Sequence, residues 1–248
     1  MRISAVTLAE RPDLIEPMWQ MPNTWPEYML HDPVADSYFE HLPTTFPEYQ
    51  LVAVDDSGAV VGKLHSLPVR WDGIDDDLPD RGWDAILERG FSGHDRAVTR
   101  NAVSLIEARV APDLLGTGLS SQLLLAARRN VARLGIRDLF GPVRPTLKNR
   151  EPDVPMADYI ARLRHDGLPE DPWLRTHVRL GARIVKVCPA SMTIPGTLAQ
   201  WRAWTGLPLT ESGPVVVAGA LTPLHVAIEH DHAVYVEPNV WVHHHLTG

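Results

Sequence analysis

The stretch that most restricts the fold begins at Glu107 and reads EARVAPDLLGTGLSSQLLLAARRNVARLG. A β-branched run, AVSLIEARVA, enters a turn with two glycines, and apolar residues at helical spacing follow until Gly135. The first N–H groups of a helix have no partner inside it, and the helix dipole adds partial positive charge at that end. Leu115, Gly116, Thr117, Gly118, Leu119 and Ser120, with Val110 at the end of the entering strand, therefore form a candidate cradle for an anion such as a phosphate. The turn is not a P-loop, which carries Lys and Ser/Thr after its glycines. It is not a dinucleotide fingerprint either, since a third glycine and a following acidic strand end are missing.

The elements around this turn alternate in kind. ISAVTL reads as a first strand and RPDLIEPMWQM as a short helix, followed by a Pro- and aromatic-rich wall or lid over residues 22–49. Residues 50–69, QLVAVDDSGAVVGKLHSLPV, read as a hairpin with turn chemistry at DDSG. Residues 71–101 interrupt the pattern, and the run Asp75, Asp76, Asp77 lacks the alternate-position ligands of a calcium loop, so it reads as solvated. Downstream come a strand (IRDLFGPV), a helical pattern over 154–167, and a short helix in DPWLRTHVRLG with Asp171 as N-cap and Pro172 at its first position. A strand kinked at Pro189, a helix closed by Gly206 and alternating strand-like residues complete the chain. With no repeat and no linker, residues 1–248 are expected to form a single domain, its core over about 1–195 and a helix-plus-strand extension over 196–248.

Charge and cysteine usage exclude several functions. The chain is 44% hydrophobic, enough for a sizeable core, and its formal net charge of -8 argues against nucleic acid or an anionic membrane as partner. Cys188, the one cysteine, permits no internal disulfide and no Cys-rich zinc site, and reads as a small buried hydrophobe in a reducing compartment. No signal-peptide core or membrane-length apolar run is present, so a cytoplasmic protein is expected. His225, His230 and His232 lack a clear third ligand, and His243, His244 and His245 read as a short native tail or a tag fragment. No metal is expected.

The stretch VAPDLLGTGLSSQLL resembles the acyl-CoA pyrophosphate loop of the GNAT (N-acetyltransferase) superfamily, with Gly116 and Gly118 at the two commonest glycines. Leu115 departs from the family's Arg or Gln and Ser120 from its Gly or Ala, but the loop acts mainly through backbone N–H groups. HVRLGARIV resembles the end of the family's fourth helix. The resemblance implies a mixed α/β (α+β) fold with a central, twisted, mostly antiparallel sheet splayed at the acyl-CoA site and helices on both faces. It implies a coenzyme A thioester, acetyl-CoA or malonyl-CoA, or a phosphopantetheine arm on an acyl carrier protein.

In the family, a tyrosine on that last helix protonates the departing thiolate and a strand Glu takes the amine proton. His177 falls in the tyrosine slot, and Glu107 is either such a base or a partner of Arg109 on the same strand face. RPTLKNREPDVPMADYI with WLRTHVRLGARIVKVCPASMTI and YVEPNVWVHH is similar to the GNAT-like loading domains of polyketide synthases of the curacin and gephyronic acid type. Those decarboxylate a malonyl-type thioester, and the implied catalytic pair is Thr146, orienting the carboxylate, and His177, donating to the enolate. The expected reaction is malonyl-thioester decarboxylation; the alternatives are acetyl transfer to an unidentified amine and a CoA-binding module without turnover. Arg144, Lys148, Asn149 and Arg150 are read as groups for a CoA 3′-phosphate, for an acidic carrier protein or for water.

Overall fold

Apolar, β-branched runs separated by turn residues pair into one sheet. The computed structural model describes residues 3–246, so Met1, Arg2 and the Thr247 and Gly248 of the terminal LTG lie outside the described residues. The strands are β1 (Ser4–Thr7), β2 (Leu51–Val54), β3 (Val60–Val69), β4 (Ala102–Val110), β5 (Asp138–Val143), β6 (Ala182–Gly196), β7 (Gly213–Val215), β8 (Leu224–Ala227) and β9 (His232–His245). Their order is β1-β2-β3-β4-β5-β9-β8-β7, and β6 runs along β9. The β4–β5 pair is parallel and every other pair is antiparallel. The helices are α1 (Ile15–Trp19), α2 (Pro33–Tyr38), α3 (Leu42–Thr45), α4 (Gly82–Asp95), α5 (Leu119–Arg133), α6 (Met156–Ile160), α7 (Pro172–Arg179) and α8 (Leu198–Thr205).

The period-2 alternation of strand side chains feeds two cores. Leu139 and Phe140 are adjacent in β5 yet belong to different clusters. Leu139 joins Leu119, Leu123, Leu124 and Val131 of α5, and Phe140 joins Trp83, Ile86 and Phe91 of α4 and Trp201 of α8.

Parallel β4 and β5 part company early. They pair only from Ala102 with Asp138 to Ser104 with Phe140. β4 then continues to Val110 and β5 to Val143 without pairing to each other, which leaves a V open at their C-terminal ends. A bulge lies in the same stretch: His65 opposes Glu107 while Ser66 opposes Leu105, so Ile106 is the extra residue. The Ile106 carbonyl accepts from the Trp83 indole at 3.0 Å.

Three regions differ from the sequence reading. The interruption at 71–101, to which the sequence reading assigns no element beyond the solvated acidic run, contains α4, a helix of 14 residues. Gly90 disguised it, because glycine weakens helix patterns; here a Cβ at Gly90 would lie 1.6 Å from Leu67 Cδ1, so only glycine lets α4 press against β3. The helical pattern over 154–167 stops at Ile160, where Arg164 N–H donates to the Leu168 carbonyl at 2.8 Å and Leu163 bridges to Pro169. The C-terminal part, expected as an extension beyond residue 195, supplies β9, which lies between β5 and β6.

Candidate active site

The glycine turn stands at the mouth of the V. Gly116 and Gly118 have φ of +79° and +87°, left-handed values that side chains rarely tolerate, and a Cβ at either would meet no atom within 4 Å. Gly118 is the N-cap of α5, no side chain caps the helix, and the first α-helical bond runs from Gln122 N–H to the Gly118 carbonyl. The amides at the start of α5 are thus left for an external acceptor, on an exposed loop free of carboxylates apart from Asp113. Thr117 does not offer its hydroxyl proton outward, because it donates to the Leu114 carbonyl at 2.7 Å. Leu115, Gly116, Thr117 and Gly118 are exposed, Ser120 is half-buried, and Val110 and Leu119 are buried beneath them.

Deeper in the V, the bulged strand presents a buried charge cluster. Glu107 lies 3.4 Å from Lys63 Nζ, 3.6 Å from Arg109 and 3.8 Å from His65 Nε2. Its Oε1 accepts from the Trp25 indole at 2.8 Å, and its Oε2 has no hydrogen-bond partner. Burial acts to raise the Glu107 pKa, but Lys63, His65, the indole and Arg109 outweigh it and hold the carboxyl below its ordinary range. Lys63 stacks over Trp19 at 4.7 Å, and burial pulls its ammonium below the usual lysine range.

The tautomer of His65 follows from its neighbours. Gln50 donates its amide protons to the Phe46 and Ser66 carbonyls, so its Oε1 faces His65 Nδ1 at 2.9 Å as an acceptor. Nδ1 therefore carries the proton and Nε2 is a bare acceptor. Burial pushes the His65 pKa down to about 3, against the pull of Glu107, so the ring stays neutral. Two buried acceptors, Glu107 Oε2 and His65 Nε2, thus lie 3.8 Å apart, neither with a hydrogen-bond partner, and Lys63 Nζ stands 3.4 Å from Oε2.

Trp25 spans the open V. Its N–H binds Glu107 on β4, and the Arg144 guanidinium, one residue past β5, lies 5.5 Å from its ring. Arg144 is itself locked, donating from Nε to both oxygens of Glu237 at 3.0 Å and from a terminal nitrogen to the Gly219 carbonyl at 2.5 Å. Tyr235 OH and Asn239 Nδ2 complete the shell of Glu237. On the β4 side, Arg109 donates to Asn23 Oδ1 and the Pro22 carbonyl, fixing the segment that carries Trp25. None of these partners was legible as such; the cue was the aromatic enrichment of residues 22–49.

Of the two residues implicated in decarboxylation, His177 lies in an enclosed nest and Thr146 at the surface. Asp171 caps α7 through Oδ1 and accepts from Leu147 N–H and Tyr159 OH through Oδ2, which ties the helix to the chain following β5. His177 is 1% exposed, packs edge-on to Trp173, and its Nδ1 meets His244 Nε2 at 3.0 Å. Burial, reinforced by His244, pushes its pKa down to about 3, and Nε2 has no partner. Thr146 is exposed, with no side-chain hydrogen bond among the described residues, and no hydrogen bond joins it to His177. The basic residues after β5 also differ from a solvated patch: Lys148 is fully buried and donates to the Glu151, Pro152 and Leu221 carbonyls.

No helix among the described residues is long and apolar enough to cross a membrane. No family model matches the chain. An arginine N-acetyltransferase, avaD, of Aspergillus versicolor is 32% identical over 274 aligned positions, covering 97% of this chain and 93% of its own. The loading GNATL domain of CurA from Lyngbya majuscula superimposes with a TM-score of 0.60 at 18% identity, covering 99% of this chain and 98% of its own. The GphF GNAT-like decarboxylase, solved with isobutyryl-CoA, superimposes with a TM-score of 0.59 at 18% identity over the whole of both chains. With its splayed parallel pair, its left-handed glycine turn opening α5 and a relative this similar along nearly its full length, the chain belongs to the GNAT superfamily of N-acetyltransferases.

Proposed function

We propose that this protein transfers the acetyl group of acetyl-CoA to the amine of a cationic acceptor of the arginine class. The observation that carries this reading is the pair of buried acceptors without a hydrogen-bond partner, Glu107 Oε2 and His65 Nε2, beneath Trp25 in the V. Lys63 and Arg109 already balance the Glu107 charge, so the two acceptors offer hydrogen-bond sites that suit an amine N–H or a water that relays its proton. The relationship to an arginine N-acetyltransferase supports the acceptor class.

The residues present fit the thioester. The pyrophosphate would meet N–H donors at Gly116 and at Gly118–Ser120, the Thr117 N–H being taken by the Leu114 carbonyl, and the edge of β4 beyond Ser104, not paired to β5, would offer backbone groups to the pantetheine arm. When bound, the thioester supplies an activated acyl carbon to the V. Glu107 and His65 receive the proton that the attacking amine releases, and Trp25 and Arg144 exclude water above them. The departing thiolate takes up a proton as the C–S bond breaks. His177, neutral at physiological pH, donates only as an imidazole N–H, a role in orientation rather than strong acid catalysis.

A second reading is decarboxylation of a malonyl thioester, on CoA or a carrier-protein phosphopantetheine, with Thr146 and His177 as the reacting pair. The fold shared with the two GNAT-like loading and decarboxylase domains favours it. The exposure of Thr146 and the enclosure of His177 count against it.

Incubation with acetyl-CoA and L-arginine, and separately with malonyl-CoA, distinguishes the two when free thiol and thioester mass are followed together. Acetyl transfer releases thiol only when acceptor is present. Conversion of malonyl-CoA to acetyl-CoA without thiol release would replace the first reading by the second. Gly116→Asp places a carboxylate in the phosphate cradle and should weaken thioester binding in either case; undiminished binding would overturn the cradle itself.

A further inference from the structure

A third cluster lies at the opposite, closed end of the sheet and takes no part in the reading above. His243 and His245 are two apart on β9, so both side chains leave the same face. The register sets Asp138, the first residue of β5, directly opposite His245, and Phe140 opposite His243. Asp138 Oδ1 receives both rings, His243 Nε2 at 2.9 Å and His245 Nδ1 at 3.1 Å. The three ligand atoms all lie within 4.8 Å of one another.

The geometry points to a binding site for a divalent transition-metal ion, Zn²⁺ in the first place, made by Asp138, His243 and His245. Two imidazoles and one carboxylate on one face form a donor set suited to such ions, at bond lengths of about 2.0–2.2 Å. Closing from hydrogen-bond to coordination distance needs only small side-chain rotations on two strands already paired. Trp71 packs edge-on against His243 at 5.0 Å and limits its rotation. His245 is 59% exposed, which leaves solvent positions to complete the coordination. By contrast, His225, His230 and His232 form no such ligand group among the described residues.

One neighbour tunes the site. An Arg183 guanidinium nitrogen approaches His243 Nδ1 at 3.1 Å, which holds the proton on Nε2, the nitrogen a metal would need. Metal binding moves that proton to Nδ1 and displaces this contact, while Arg183 keeps its paired bonds to Asp75 at 2.6 and 2.7 Å. Arg183→Gln replaces a donor by an acceptor for the Nδ1 proton and should tighten binding by roughly 10-fold, within the range that outer partners of a metal-bound histidine command.

The test titrates the chelator-stripped full chain with ZnCl₂ by calorimetry and with CoCl₂ by visible absorption. One equivalent is expected to bind and to raise the melting temperature. Affinity should fall at least 10-fold in His245→Ala, which alters an exposed ring at the end of β9, and in Asp138→Asn, and remain unchanged in His225→Ala. Binding that His245→Ala leaves intact, or no saturable binding up to millimolar zinc, would overturn the proposal. Acetyl-transfer activity plays no part in the readout, so its success or failure is separate from the functional reading.

Discussion

The open and closed ends of the same sheet treat burial in opposite ways. At the open end, Glu107 is buried among Lys63, Arg109 and an indole N–H, and Glu237 is buried against Arg144. Charge survives there because each carboxylate has cationic or N–H partners. At the closed end, His177 and His244 are buried against each other, and desolvation keeps both rings neutral, with His244 pushed down to about 4. The difference lies in the partners available rather than in depth: carboxylates with cationic or N–H partners stay charged, and the His177–His244 pair, with none, packs as neutral rings.

The largest effect that would sharpen this contrast is on turnover. Glu107→Gln keeps the shape of the cluster and removes its negative charge, so kcat/KM for acetyl transfer should fall by about 10²–10⁴ while the dissociation constant for acetyl-CoA stays nearly constant. Steady-state kinetics with equilibrium binding decide it, and full activity would remove Glu107 from the chemistry. The corresponding substitution at the base, His177→Gln, is expected to cost less than 10-fold in kcat; a larger loss would undo the contrast.

Arg144→Ala leaves Glu237 buried without its cation and should lower the unfolding free energy by about 3–5 kcal/mol, measured by denaturant titration. A loss under about 1 kcal/mol would mean that Tyr235 and Asn239 suffice for Glu237.

A smaller effect lies in the pH dependence of stability. His65 and His177 titrate near 3 when folded, against an ordinary value of 6.5, so the unfolded chain binds more protons between those values. Their contribution is complete above about pH 6.5 and declines as pH falls towards 3; the melting temperature should drop between pH 6.5 and 4, read by calorimetry.

The smallest effect has the opposite sign. Asp84 is buried 2% exposed beside Asp32, and burial together with that second carboxylate pushes its pKa up to about 8. A raised folded pKa stabilises below the unfolded value near 3.8 and loses that contribution as pH rises through about 8. Asp84→Asn should therefore melt a few degrees higher than the parent at pH 9, with a smaller gain at pH 6; equal melting at both would show that the pair carries no strain.

Local chemistry made several parts legible in the sequence. Asp171 and Pro172 begin α7, Gly206 ends α8 in a left-handed conformation, and Gly116 and Gly118 open α5, because caps and positive φ depend on residues close in the chain. Glu107 and Arg109 were legible as a same-face pair, although not the Lys63, His65 and Trp25 that join them. α4 was hidden because Gly82 and Gly90 serve contacts with Cys188 and Leu67, which are distant in sequence. Lys148 and Arg144 looked like surface cations, since nothing near them in the chain announces the Leu221 carbonyl or Glu237.

By itself the sequence determined the strand–glycine–helix turn, the caps and the alternation of elements, which rest on local backbone preferences and periodicity, and it carried the superfamily resemblance in the motif around Gly116 and Gly118. Only the tertiary structure decided where β4 and β5 separate, that Trp25 closes the gap between Glu107 and Arg144, that His177 turns inward to His244, and that Asp138 meets His243 and His245. Register and burial join residues tens to more than a hundred positions apart, and a side chain's charge is fixed by those neighbours rather than by its own identity.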